Sequence, residues 1–77
     1  MDLQDFVSKF AAQFDDVDES QFKADTRFHE LPKWDSLLAL SIMAMVDEEY
    51  DVTLKGDDIR QSATIEDLFR IIKEQKG

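Results

Sequence analysis

Pro32-Lys33-Trp34-Asp35-Ser36-Leu37-Leu38 is the stretch whose reading decides the fold. Pro32 keeps the residue before it out of a helix, and Asp35 or Ser36 can cap a new helix that follows. From Leu37 to Tyr50 nearly every residue is a helix former. Ala39, Ile42, Met43, Val46 and Tyr50 fall on one face when stepped at about 100° per residue, and that face is expected to be core. Leu37, Leu40 and Ala44 lie on the far side beside Ser41 and Glu48, with Leu38 and Met45 on a flank. The helix is therefore apolar beyond the stripe that packing requires. On an acidic chain such a surplus points to a docking surface, rimmed at its far end by Asp47, Glu48 and Glu49. The plainer alternative is that other helices cover it.

Upstream, Leu3, Phe6, Val7, Phe10, Ala11 and Phe14 have the spacing of one helical face, which predicts an amphipathic helix over 3–14. Asp2 is its expected N-cap, and Asp5 sits in the first turn, where a carboxylate complements the positive helix end. The three phenylalanines read as core and not as a ligand box, because aromatic burial supplies much of what a small bundle has. Between Asp15 and Trp34 the periodicity fades into a connector of roughly 20 residues, longer than the ~2–8 residues that usually join helices in bundles. Asp15, Asp16, Asp18 and Glu19 lack the glycine and closing glutamate of an EF-hand and read as a solvated acidic turn. Val17, Phe22, Phe28 and Leu31 are expected to pin the connector, with one helical turn over 26–31. His29 is the only histidine, and no cysteine or second histidine can share a metal with it.

Downstream, residues 51–54 read as extended and Lys55-Gly56 as a turn. Asp57 or Gly56 opens a short third helix ending near Gln61, with Ile59 inward. Thr64 and Asp67 form a capping-box pattern, and Ile65, Leu68, Phe69 and Ile72 give a last helix its apolar face. Lys73 and Lys76 fall in its final turn, against the negative helix end. These segments make an all-α chain with a long first loop, expected to be one domain over 1–77.

Composition narrows the function. In 77 residues there are 18 acidic and 9 basic side chains, a formal charge of -9, which repels phosphate backbones and anionic membranes and favours partners with basic patches. The chain has no cysteine, so neither disulfides nor a thiolate zinc site supplement its core. No targeting signal and no membrane-length apolar run is evident, and a cytoplasmic location is expected. Catalysis by Ser36 would require a base and an oxyanion hole, for which one unsupported histidine and no glycine-flanked nucleophile turn are present. Covalent modification is the other use of an exposed hydroxyl. A phosphodiester on Ser36 would lie at a helix N-terminus, where free N–H groups and the macrodipole favour negative charge.

Together these residues resemble the acyl carrier protein family. The resemblance runs through Asp35-Ser36-Leu37, Val46-Asp47-Glu48-Glu49-Tyr50, Val52-Thr53-Leu54 and Thr64-Ile65-Glu66-Asp67-Leu68, in order and spacing. It implies a four-helix bundle, no catalysis by the chain itself, and a 4'-phosphopantetheine arm carried on Ser36 that holds acyl or aminoacyl groups as thioesters. It also implies a phosphopantetheinyl transferase and loading, condensing or transfer enzymes of fatty-acid, polyketide or related biosynthesis as partners of a monomeric carrier. Met43, Val46, Tyr50, Ile59 and Phe69 are the expected lining of an acyl pocket. Many fatty-acid carriers have a Leu-Gly pair before the signature and carboxylates at the second and fifth positions after the serine. This chain has Leu31-Pro32-Lys33-Trp34, then Leu38 and Ser41. Docking is accordingly expected on Trp34, Leu37, Leu38, Leu40, Ser41 and Ala44, with steering by Asp35, Asp47, Glu48 and Glu49. The Trp-Asp-Ser-Leu form is similar to stand-alone carriers of specialised pathways. The competing expectation is an unmodified acidic adaptor that binds a partner through the Leu37/Leu40/Ala44 face.

Overall fold

The computed structural model describes residues 2–15 and 18–76. Four α-helices span Leu3–Ala11 (α1), Ser36–Tyr50 (α2), Gly56–Gln61 (α3) and Ile65–Lys76 (α4), with 3₁₀ turns at Glu19–Gln21 and Phe28–Glu30 in the connector. Asp16 of the expected acidic turn and Val17, expected to pin the connector, lie outside the described residues.

Asp2 caps α1 by accepting from the Gln4 amide at 3.2 Å. The helix ends earlier than its apolar spacing predicts. After Ala11 the bonds tighten to Gln13 N–H to the Phe10 carbonyl and Phe14 N–H to the Ala11 carbonyl, 3.1 and 3.0 Å. Asp15 follows, and an aspartate at a helix C-terminus opposes the dipole and competes for backbone bonds. Phe14 still reaches the core, its ring 5.7 Å from Phe10 and 5.0 Å from Phe22. Periodicity thus overshot the helix while identifying the right core residue.

The connector is held at several points. Phe28 is fully buried, with its ring centroid 5.5 Å from Phe10 and 4.9 Å from Trp34. Phe22 is buried beside Phe10 and Phe14. Two connector carbonyls also take the first amides of α4, Ala24 from Glu66 at 2.9 Å and Thr26 from Ile65 at 3.2 Å. These are donors that a helix start otherwise leaves unpaired.

α2 is buried along Ile42, Met45, Val46 and Tyr50, while Ala39 and Met43 are half-buried. The buried stripe is turned toward Met45 relative to the sequence expectation, which leaves Met43 facing a surface groove instead of the deep core. Asp51 ends the helix in the left-handed region, φ 56°, one of the few non-glycine types that tolerates it. Val52 and Leu54 then alternate inward past exposed Thr53, the period of an extended segment. α3 begins at Gly56, with the Lys55 amide donating to the Asp58 carboxylate at 2.9 Å and Ile59 buried. The capping box of α4 forms as its spacing predicts. The Asp67 amide donates to Thr64 Oγ1, and the Asp67 carboxylate accepts from the Thr64 and Ala63 amides. Those two backbone bonds hold the Asp67 carboxyl below its usual range.

Phe6 joins three helices, its ring 5.8 Å from Tyr50 and 5.5 Å from Phe69. Among the described residues, eighteen buried apolar side chains make one continuous core. A folded chain of 77 residues has only about 4–12 kcal/mol of net stability at typical values per residue. Phe28→Ala is therefore expected to cost about 3–5 kcal/mol, read by urea unfolding, and to release the connector; a loss under about 1 kcal/mol would contradict the anchoring described. Leu37 and Leu40 are 72% and 60% exposed, so Leu37→Gln and Leu40→Gln are expected to change stability by no more than about 0.5 kcal/mol in the same assay.

Candidate functional site

The turn Leu31–Trp34 closes with the Trp34 amide donating to the Leu31 carbonyl at 3.0 Å. Asp35 then adopts an extended backbone, φ −154° and ψ 179°, and its Oδ1 accepts from the Leu38 amide at 2.8 Å. Asp35 is thus the N-cap and Ser36 the first helical residue, which resolves the choice the sequence left open. The consequence is chemical. Because the carboxylate does the capping, the exposed Ser36 hydroxyl has no hydrogen-bond partner among the described residues. The Ser36 and Leu37 amides likewise have no acceptor among them, and both point along the positive end of a 15-residue helix.

Two grooves flank this point. One, of about 360 Å³, lies between α2 and α3 and is lined by Ser36, Asp35, Trp34, Ala39, Met43, Gly56, Ile59, His29 and Arg60. The other, of about 280 Å³, runs between α2 and the end of α1 and takes in Leu37, Leu38, Ser41, Lys33 and Phe14. Of the five expected acyl-pocket residues, Met43 and Ile59 line the first groove together with Ser36. Val46 and Tyr50 are buried in the core, and Phe69, also buried, borders a separate recess with Leu3 and Lys73. Burial pushes the Tyr50 phenol upward, and its hydroxyl is buried with no hydrogen-bond partner among the described residues. Lys9 lies 5.0 Å from the centre of that ring and is hydrogen-bonded to Asp5, which holds its ammonium well above its usual range.

The expected docking residues divide. Leu37, Leu40 and Ala44 form an exposed stripe, so neighbouring helices do not cover that face. Asp47 and Glu48 are exposed at its far end, and Glu49 pairs with Lys9 at 3.4 Å. Leu38 and Ser41 are half-buried. Trp34 is half-buried too, its indole packed against Phe28 and within 5.6 Å of His29, because so large an apolar surface gains more by joining the ring cluster than by lying free.

His29 and Arg60 were not singled out as site residues by the sequence, yet both border the groove at Ser36. The His29 Nε2–H donates to the Ile59 carbonyl at 2.9 Å, tying the connector to α3. Arg60 is ion-paired with Asp57, both side chains largely exposed, a type of pair worth about 0–1 kcal/mol. No signal in sequence spacing marks either residue; their approach to Ser36 depends on how the connector and α3 fold back over α2. The described residues contain no cluster of three or more groups suited to a metal, and no helix among them is long and apolar enough to cross a membrane.

Known proteins share the sequence pattern of this chain. The family profile for the phosphopantetheine attachment site matches residues 5–72. The chain is 28% identical over 75 residues to the acyl carrier proteins of Rickettsia massiliae (strain Mtu5) and Rickettsia africae (strain ESF-5), covering 97% of this chain and 87% of each relative. The acyl carrier protein of Rickettsia typhi (strain ATCC VR-144 / Wilmington) is 27% identical over the same coverage. Among solved structures there is no significant match. A helical chain with an exposed serine opening its longest helix, matched by this profile over nearly its whole length, belongs to the phosphopantetheine attachment family of acyl carrier proteins, which carry a prosthetic group and do not catalyse.

Proposed function

We propose that this chain is a single-domain carrier whose phosphopantetheine arm is attached to Ser36, and that it presents acyl intermediates to partner enzymes. The observation that carries this reading is the free, exposed hydroxyl at the first position of α2, with Asp35 alone engaged in capping. The residues fit the group. The helix start supplies free N–H donors to a phosphodiester, Ser36 supplies its oxygen, and the α2–α3 groove offers the apolar side chains Trp34, Met43 and Ile59 beside it. When bound, the arm supplies the terminal thiol on which acyl groups are carried. In the loading reaction the Ser36 Oγ bonds to the β-phosphorus of coenzyme A as the pyrophosphate bond breaks. Adenosine 3',5'-bisphosphate leaves, and the hydroxyl proton passes to a base of the transferase. The chain's own part is to present Ser36 on a rigid helix end, next to Asp35 and Leu37, without a competing hydrogen bond.

Partner recognition falls to the exposed Leu37/Leu40/Ala44 stripe, with Leu38 and Ser41 on its shoulder and Asp47 and Glu48 steering basic surfaces toward it. Trp34 contributes by fixing the turn before Ser36 and bordering the groove. Met43 and Ile59 are the first side chains a short acyl group would meet; Val46, Tyr50 and Phe69 become accessible to a longer one if the core opens. The lack of carboxylates at Leu38 and Ser41 favours partners with an apolar docking pocket, and with it a specialised pathway over bulk fatty-acid synthesis. The exposed stripe would also suit an unmodified adaptor, and one experiment separates the two readings. Incubated with coenzyme A and a broad-specificity phosphopantetheinyl transferase, the wild type is expected to gain the mass of one arm and Ser36→Ala to gain none. Equal gain in both proteins, or none in the wild type, overturns the Ser36 assignment.

A further inference from the structure

Of the two grooves beside the start of α2, the one toward α3 includes Ser36 in its lining and the one toward α1 does not. A phosphodiester on Ser36 carries a negative charge, and on a chain of net charge -9 its surroundings repel it. Asp35 borders the same groove, while Asp57 and Asp58 belong to the helix across it. Arg60 is the one arginine or lysine among the residues lining that groove. His29 also lines it, but its Nε2–H is committed to the Ile59 carbonyl, and its second ring nitrogen donates only when the imidazole is protonated. Within this groove the permanent countercharge therefore falls to Arg60, while Lys33 borders the other one.

Two features leave its guanidinium available. Its partner Asp57 is exposed, so exchanging that carboxylate for a phosphate costs little, and the planar guanidinium fork matches phosphate oxygens at two points. Gly56 lines the groove beneath it. A Cβ there would meet only Arg60 Nη1, at the ordinary contact distance of 3.8 Å, which places the guanidinium against this wall of the groove.

We propose that Arg60 is a positioning residue that binds the phosphodiester of the arm on Ser36 and directs the arm into the α2–α3 groove, away from the groove of Leu37 and Leu38. This rests on the Ser36 reading. The test uses ¹⁵N-labelled protein loaded enzymatically from coenzyme A, with loading verified by intact mass. Two signals are followed, the phosphodiester ³¹P resonance and the Arg60 Nε–Hε pair. In the wild type the Nε–Hε pair is expected to shift between unloaded and loaded protein. It should return toward its unloaded position near 1 M salt, where the screening length falls to about 3 Å. Arg60→Gln is expected to move the ³¹P shift to its value in urea-unfolded loaded protein and to abolish its salt dependence; Arg60→Lys should retain part of both. An identical ³¹P shift and salt dependence in fully loaded wild type and Arg60→Gln overturns the role of Arg60 while leaving Ser36 in place. Failure of the wild type to load overturns both, and the mass reveals it before any resonance is recorded.

Discussion

The packing of Phe28 between Phe10 and Trp34 is the contact on which the rest of the site depends. Through Phe10 the ring engages the first helix, and through Trp34 it engages the residue two places before Ser36. A long connector loses more conformational entropy on ordering than a tight turn does. Here that loss is offset by buried rings at Phe22 and Phe28, by two carbonyls given to the start of α4, and by the His29 bond to α3. The same contacts decide where the chain re-enters the bundle. With Trp34 seated on the cluster and Asp35 capping from an extended backbone, α2 begins at one defined residue, and the serine at that position is exposed.

The molecule separates its apolar surface into two uses. Ile42, Met45, Val46 and Tyr50 bind α2 to the core, and the opposite Leu37/Leu40/Ala44 stripe remains in water. Exposed leucines on one side of a small acidic domain are a solubility hazard unless binding partners make use of them. A formal charge of -9 opposes self-association and favours encounters with basic surfaces. Between those two faces lies the α2–α3 groove, where Ser36, Met43, Ile59 and Arg60 meet although they come from distant parts of the sequence.

Much of this could be read from the residues. The start of α2, the Thr64/Asp67 box, the inward Ile59 and the apolar surplus on the far face of α2 all follow from local rules of capping and periodicity, because each depends on neighbours within one or two turns. What escaped such rules depends on longer-range contacts. The end of α1 was overextended because Phe14 keeps the apolar spacing while its backbone has already left the helix. The 3₁₀ turn at Glu19–Gln21, capped by Asp18, buries no side chain and so leaves no apolar pattern. The carbonyls of Ala24 and Thr26 are backbone groups, to which side-chain identity gives no guide. Met43 was expected on the core face beside Val46, and the tertiary packing instead turned the helix by part of a residue step toward Met45. Trp34 was expected to take part in docking near the arm; that its indole is half-buried against Phe28 and His29 could not be read locally, because the rings it meets come from separate segments.

The proposed attachment at Ser36 requires that Asp35 hold the helix without help from the serine hydroxyl. The most direct measurement is therefore urea unfolding of Asp35→Ala and Ser36→Ala beside the wild type. If Asp35 is the cap, Asp35→Ala loses about 1 kcal/mol while Ser36→Ala stays within about 0.5 kcal/mol of the wild type. A loss at Ser36→Ala as large as that at Asp35→Ala, or larger, would mean that the serine hydroxyl is engaged in holding the helix and is not free for modification.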